Sequence, residues 1–112
     1  MAIDHAQKAL VYHYNGSMFE IFQSIKLTTN TSLYSNAGAL TDDHKLLVAG
    51  INNTVRVYTF VEHINSFILH YSIVGYEGAV THISLTNDHS YMAVTLDNDV
   101  VAIHKNNGTH LI

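Results

Sequence analysis

The 112-residue chain has no cysteine, no proline and no tryptophan, and only five lysines and arginines against nine aspartates and glutamates. Without cysteine there is no disulfide framework, no thiolate metal site and no cysteine nucleophile. The absence of proline fits a chain built of strands, which tolerate that residue poorly. The cations Lys8, Lys26, Lys45, Arg56 and Lys105 stand singly, and the formal net charge is −4. Nucleic-acid binding needs clustered cations to displace phosphate counterions, so that function is excluded, and polybasic membrane attachment with it. No apolar run approaches the roughly 20 residues that cross a bilayer. The first ten residues, with Asp4, His5, Gln7 and Lys8, do not read as a signal peptide, and the expected location is cytoplasmic.

Hydrophobic residues make up 47%, enough for a packed core. Charged residues make up 12%, about half the usual share of roughly 25%. Much of the surface is therefore expected to face other protein. Sequons at Asn15, Asn30, Asn52 and Asn107 are read as chance in an Asn-rich chain.

The chain repeats itself. Residues 40–55, LTDDHKLLVAGINNTV, return 45 residues later as LTNDHSYMAVTLDNDV. Leu40, Thr41, Asp43, His44, Asn53 and Val55 recur as Leu85, Thr86, Asp88, His89, Asn98 and Val100. A weaker copy lies upstream, where KALVYHYNGSMFEIF (8–22) matches KLLVAGINNTVRVY (45–58) with one extra turn residue. Each copy reads as a short apolar strand, a polar turn, a nearly continuous apolar strand, a tight Asn/Gly/Asp turn and an alternating strand. Asn, Asp and Gly suit the positive φ of such turns. The middle strand, apolar on both faces, is expected to pack on two sides. Ser24–Thr28 and Phe67–Ser72 are candidates for a fourth strand, and no stretch predicts a substantial helix. Four antiparallel strands per roughly 40–45 residues predict an all-β partial propeller. Its sectors are expected over 1–28, 29–72 and 73–112.

The segment Gly75-Tyr76-Glu77-Gly78-Ala79-Val80 through Ile103-His104 resembles a WD repeat, with Tyr76 in the place of the family's His. Asn52 to Tyr58 resembles the close of such a repeat, with Tyr58 in the Trp place and Asn52 in the Asp place, whereas His104-Lys105 departs from Trp-Asp. The hydrogen-bonding tetrad of that family is incomplete in every copy. The order of the last two copies is similar to the late blades of cilia- and flagella-associated WD-repeat proteins. That resemblance implies a non-enzymatic scaffold in the axonemal cytoskeleton, placing dynein regulators on doublet microtubules. Propellers use roughly 4–8 blades, and about two and a half are present. Either a second chain completing the ring, or a chain that is one part of a split or truncated gene product, is therefore expected, with protein partners in a large assembly.

No site chemistry emerges. His63/His70 and His82/His89 are seven apart, which puts each pair on opposite faces of a strand, so no metal is expected. Asp42, Asp43, Asp88, Asp97 and Asp99 fall in turns, where Asp bonds backbone, and no calcium loop, nucleophile triad or phosphate loop occurs. No catalytic residue and no cofactor is therefore expected. Tyr12, Tyr14, Phe19, Phe22, Tyr58 and Tyr91 alternate along strands, and most are expected to pack between sectors. Tyr34, Tyr71 and Tyr76 lie nearer loops and are the candidates for partner contact. Two rival readings stay open. One is a small His-containing metal-binding or hydrolytic β protein. The other is an independent β-sandwich ligand-binding module.

Overall fold

A computed structural model describes residues 2–4, 8–27, 37–108 and 110–112. Among the described residues ten strands form three antiparallel sheets. The first sheet contains β1 (Ala2–Asp4), β2 (Lys8–Tyr14) and β3 (Phe19–Lys26). The second contains β4 (Ala37–Leu40), β5 (Leu46–Ile51), β6 (Thr54–Val61) and β7 (Ser66–Ile73). The third contains β8 (Val80–Leu85), β9 (Tyr91–Leu96) and β10 (Val101–Lys105). A 3-10 turn, Glu62–Ile64, joins β6 to β7. Within each sheet the strands follow chain order, and the inner strand β4 lies beside both β8 and β1. The sheets thus succeed one another face to face around their inner strands, as a partial β-propeller.

The second sheet is the wall between two cores. All six residues of β5 are buried. Leu46 and Val48 face the third sheet with Val55 and Val57, against Val80, Ile83, Met92, Val94 and Leu96. Leu47, Ala49 and Ile51 face the first sheet with Tyr58 and Phe67, against Ala9, Val11, Ile25 and Leu27. A strand with period-two side chains is apolar throughout only when both its faces are covered, and that is the condition of β5. Gly50 permits the close approach of the third sheet. A Cβ there would lie 2.6 Å from Val80 Cγ1. Beside it the Val80 N–H donates to the Asn52 carbonyl at 2.7 Å, tying the sheets together.

Three β-bulges redirect side chains. In β7 the extra residue is His70, since Val57 pairs with Tyr71 and Tyr58 with Leu69. Phe67, Tyr71 and Ile73 would otherwise share one face. The bulge instead sends Phe67 into the core with the first sheet and Tyr71 and Ile73 onto the core with the third. In β3 the extra residue is Phe22, which lets Phe22 and Ile25 reach the same core despite odd spacing. Thr81 does likewise for Val80 and Ile83 in β8. The bulge in β3 also corrects the expectation of a separate strand at Ser24–Thr28. Through Lys26 the segment is the end of one long strand bent at Phe22, and Thr28 lies outside the described residues.

The sequence repeat is a repeat of turn chemistry. The N–H of Thr41 donates to the Leu46 carbonyl and that of Thr86 to the Tyr91 carbonyl, both at 3.0 Å. The hydroxyls of Thr41 and Thr86 accept from the N–H of Leu46 and Tyr91 at 3.2 and 3.0 Å. Asp43 and Asp88 each accept from the N–H two residues on, at 3.0 Å. His44 and His89 both adopt positive φ, 60° and 67°. The two turns also touch. Asn87 Nδ2 donates to Asp42 Oδ2 at 2.8 Å, the Asp42 N–H donates to Asn87 Oδ1 at 3.1 Å, and His89 Nε2 lies 2.9 Å from Asp43 Oδ2.

The outermost aromatics depart from expectation. Phe22 and Tyr58 pack between sheets, but Tyr12, Tyr14, Phe19 and Tyr91 are exposed. Tyr12, Tyr14 and Phe19 border a cleft at the β2–β3 hairpin instead of packing between sheets.

Candidate functional site

Between the first and second sheets opens a cleft of about 570 Å³, within the range of roughly 300–1,000 Å³ typical of small-molecule sites. The β2–β3 hairpin forms one wall. The turn between β4 and β5 and the turn between β6 and β7 form the other. Its floor is a line of rings. Phe22 lies 6.1 Å from Phe60, and Phe60 lies 5.2 Å edge-on to Phe67. His13 stands perpendicular to Phe22 at 5.9 Å. Gln23 braces the floor from behind: its amide accepts from the Phe67 N–H at 2.8 Å and donates to the Phe67 carbonyl at 2.9 Å. One side chain therefore does the work of a strand-to-strand pair across the two sheets.

The rim is polar and of mixed charge: His13, Asp43, His44, Lys45, Glu62 and Asn65. Asp43 is already committed. It accepts from the Thr41 hydroxyl at 2.5 Å and the Lys45 N–H at 3.0 Å, and His89 lies against it. The Thr41 hydrogen bond is the largest influence holding its carboxyl down at about 2. A carboxylate so anchored is an acceptor in the turn and not a proton-transfer base. His13 pairs with Glu20 at 3.1 Å. Among the described residues neither Lys45 nor Glu62 enters an ion pair, so both charges are open to a ligand. An aromatic floor under such a rim suits a molecule with a C–H face and polar edges. Among the described residues no group of three His, Asp or Glu is placed to hold a metal ion.

The tyrosines singled out in the sequence lie away from this cleft. Tyr34 lies outside the described residues. Tyr71 sits in β7, half-buried, its hydroxyl accepting from the Leu111 N–H at 2.8 Å and its ring 4.2 Å from that of His110. Burial raises its phenol above the ordinary value. Tyr76 precedes β8, and its hydroxyl lies 2.6 Å from His104 Nε2. Burial pushes the Tyr76 phenol up to about 12 and depresses the His104 imidazole, so the pair favours two neutral rings. The cleft residues escaped the sequence reading because they come from five separate segments. The signal present is the set of strand aromatics Tyr12, Tyr14, Phe19 and Phe22, which line the cleft but read in the sequence as packing between sectors, whereas nothing in the sequence singles out Phe60 and Phe67.

No protein-family profile matches the chain, and no curated protein does. Among solved structures, the fold is similar to that of a protein provisionally designated a 6-phosphogluconolactonase, from Bacteroides fragilis NCTC 9343. The TM-score is 0.74 at 18% sequence identity, over 96% of this chain and 32% of that one. The chain thus spans about a third of the length of the structure it resembles. That likeness supports the propeller class of the fold. It overturns the WD-repeat resemblance, the likeness to axonemal members included, for which no comparison gives support. The physical reason is plain in the two repeated turns. Threonine and Asx hydrogen bonds, positive-φ corners and two-faced apolar strands are what any stacked antiparallel sheet of this kind requires. The repeated residues specify the architecture and not the family.

Proposed function

We propose that the chain is a sector of a hydrolytic β-propeller protein and binds a small, anionic, polyhydroxylated ligand in the cleft between the first and second sheets. The observation that carries this reading is the ring floor Phe22–Phe60–Phe67 beneath an unpaired Lys45. Sugar C–H faces lie well on aromatic rings, hydroxyls hydrogen-bond to Asn65 and Glu62, and the Lys45 ammonium attracts a carboxylate or phosphate. The designation of the similar structure makes a phosphorylated sugar lactone the first substrate class to test. Opening a lactone requires a base to activate water. His44 and His13, on the rim, are the imidazoles placed to take that role.

The test is an amide NMR titration with 6-phosphogluconate. Saturable shifts are expected at Lys45, Phe60 and Phe67, weakened at least tenfold in Lys45→Ala. Shifts that never saturate, or that map elsewhere, would rule the cleft out. Acid release from 6-phosphogluconolactone above a protein-free blank, lost in His44→Gln, would support the hydrolytic part. A rate no higher than the blank would leave the protein a binder only. A protein-interaction role draws its support from different residues, the exposed Tyr91 and Ile103 of the third sheet.

A further inference from the structure

The sequence holds two Asn-Gly pairs, Asn15-Gly16 and Asn107-Gly108. A glycine after asparagine leaves the next backbone nitrogen unscreened by a side chain, so that nitrogen can attack the asparagine's own amide carbon. Both pairs are exposed, and both glycines sit at positive φ, 103° and 105°. Their hydrogen bonds differ. In the β2–β3 hairpin three donors converge on Asn15 Oδ1: the Ser17 N–H at 3.0 Å, the Ser17 hydroxyl at 3.2 Å and the Met18 N–H at 3.0 Å. Donors on a carbonyl oxygen make its carbon more electrophilic and stabilise the negative charge that attack places on that oxygen. Among the described residues no hydrogen bond engages the Gly16 N–H, and a Cβ built on Gly16 would meet nothing within 4 Å. The nitrogen is open to water. At the second pair the Gly108 N–H donates to Asn106 Oδ1 at 2.8 Å, so the nitrogen that must lose a proton is tied down.

We propose that Asn15 is a self-modification site, which converts to aspartate and isoaspartate through a cyclic imide, with the hairpin's own donors as its oxyanion hole. Solvent hydroxide takes the Gly16 amide proton. The Gly16 nitrogen then bonds to Asn15 Cγ, the Cγ–Nδ2 bond breaks, and Nδ2 leaves as ammonia after taking a proton from water. A water molecule opens the imide at either carbonyl. The net change is amide plus water to carboxylate plus ammonium. Isoaspartate routes the main chain through Cβ, so it lengthens the turn, and either product puts a new charge there. Tyr14 and Phe19, the strand pair that this turn closes, both border the cleft. The inference stands on the hairpin and not on the ligand reading.

The test is to age the chain in mildly alkaline buffer, folded and in urea, and to follow each pair by peptide mass spectrometry. Isoaspartate is read by methyl transfer from an isoaspartyl methyltransferase. In the folded chain Asn15 is expected to convert roughly tenfold faster than Asn107, the rate rising with pH. In urea the two rates are expected to agree within about a factor of two, since the donors on Asn15 and the tie on Gly108 are both lost. Ser17→Ala, which removes one donor, is expected to slow Asn15, and Asn106→Ala, which frees the Gly108 N–H, to speed Asn107, each with unchanged far-UV circular dichroism. Should a variant lose its β signature, the comparison of folded with urea-unfolded wild type still decides. Asn107 converting as fast as Asn15 in the folded chain would overturn the proposal. So would the same ratio of rates in urea, which would assign the difference to sequence alone.

Discussion

Thr41 and Thr86 occupy equivalent corners and make the same backbone hydrogen bonds, yet Thr41 is buried and Thr86 is exposed. Water can replace the hydroxyl at one corner and not at the other. Thr41→Val is therefore expected to cost about 1–3 kcal/mol, because the Leu46 N–H and the Asp43 carboxylate lose a buried partner. Thr86→Val is expected to cost less than about 1 kcal/mol. Urea unfolding of both variants decides the point, and equal costs would refute it. Asp43 adds a pH dependence. Its carboxyl is held below the ordinary 3.8, at about 2, chiefly by the Thr41 hydroxyl. The folded chain thus binds a proton there less readily than the unfolded one. The stabilisation is fully present above 3.8 and is lost as pH falls through about 2. The advantage of wild type over Asp43→Asn in urea midpoint is expected to shrink across that window. A constant gap between them would contradict this.

At the scale of elements, the meeting of the second and third sheets turns on one missing side chain. Gly50 lies where a Cβ would press on Val80, a residue fixed by its own hydrogen bond to Asn52. The Val80 backbone cannot withdraw without breaking that bond. Gly50→Ala is expected to destabilise the protein by about 1–3 kcal/mol through overpacking, read as a lower denaturant midpoint. An unchanged midpoint would mean that the sheets part freely. The strands and turns of the second and third sheets were legible in the sequence, because alternation and Asx corners are properties of neighbouring residues. The bulges were not. His70, Phe22 and Thr81 look like ordinary strand residues, and their displacement follows from which partner strand each half of the strand must register with. That is why Ser24–Thr28 read as a strand of its own.

At the scale of the whole molecule, the second of the three described sheets is closed on both faces by its neighbours. The closed middle sets the fold, since β5 loses all its solvent contact only between two neighbours. The cleft is a product of the same stacking. Its floor joins Phe22 of the first sheet to Phe60 and Phe67 of the second, a hairpin pair far from Phe22 in sequence.

The sequence by itself determined the all-β character, the hairpin corners at Asn15, Asn52 and Asn98–Asp99, the recurring Thr–Asp–His turn and the strand that must be covered on both sides. These are set by φ preferences and by period-two polarity, which act over a few residues. Only the tertiary structure decided which residues share a face beyond each bulge, which rings line the cleft, how Asp43 comes to meet His89, and which aromatics stay uncovered. Those depend on register and on the approach of sheets, and both are fixed by contacts between residues far apart in the chain.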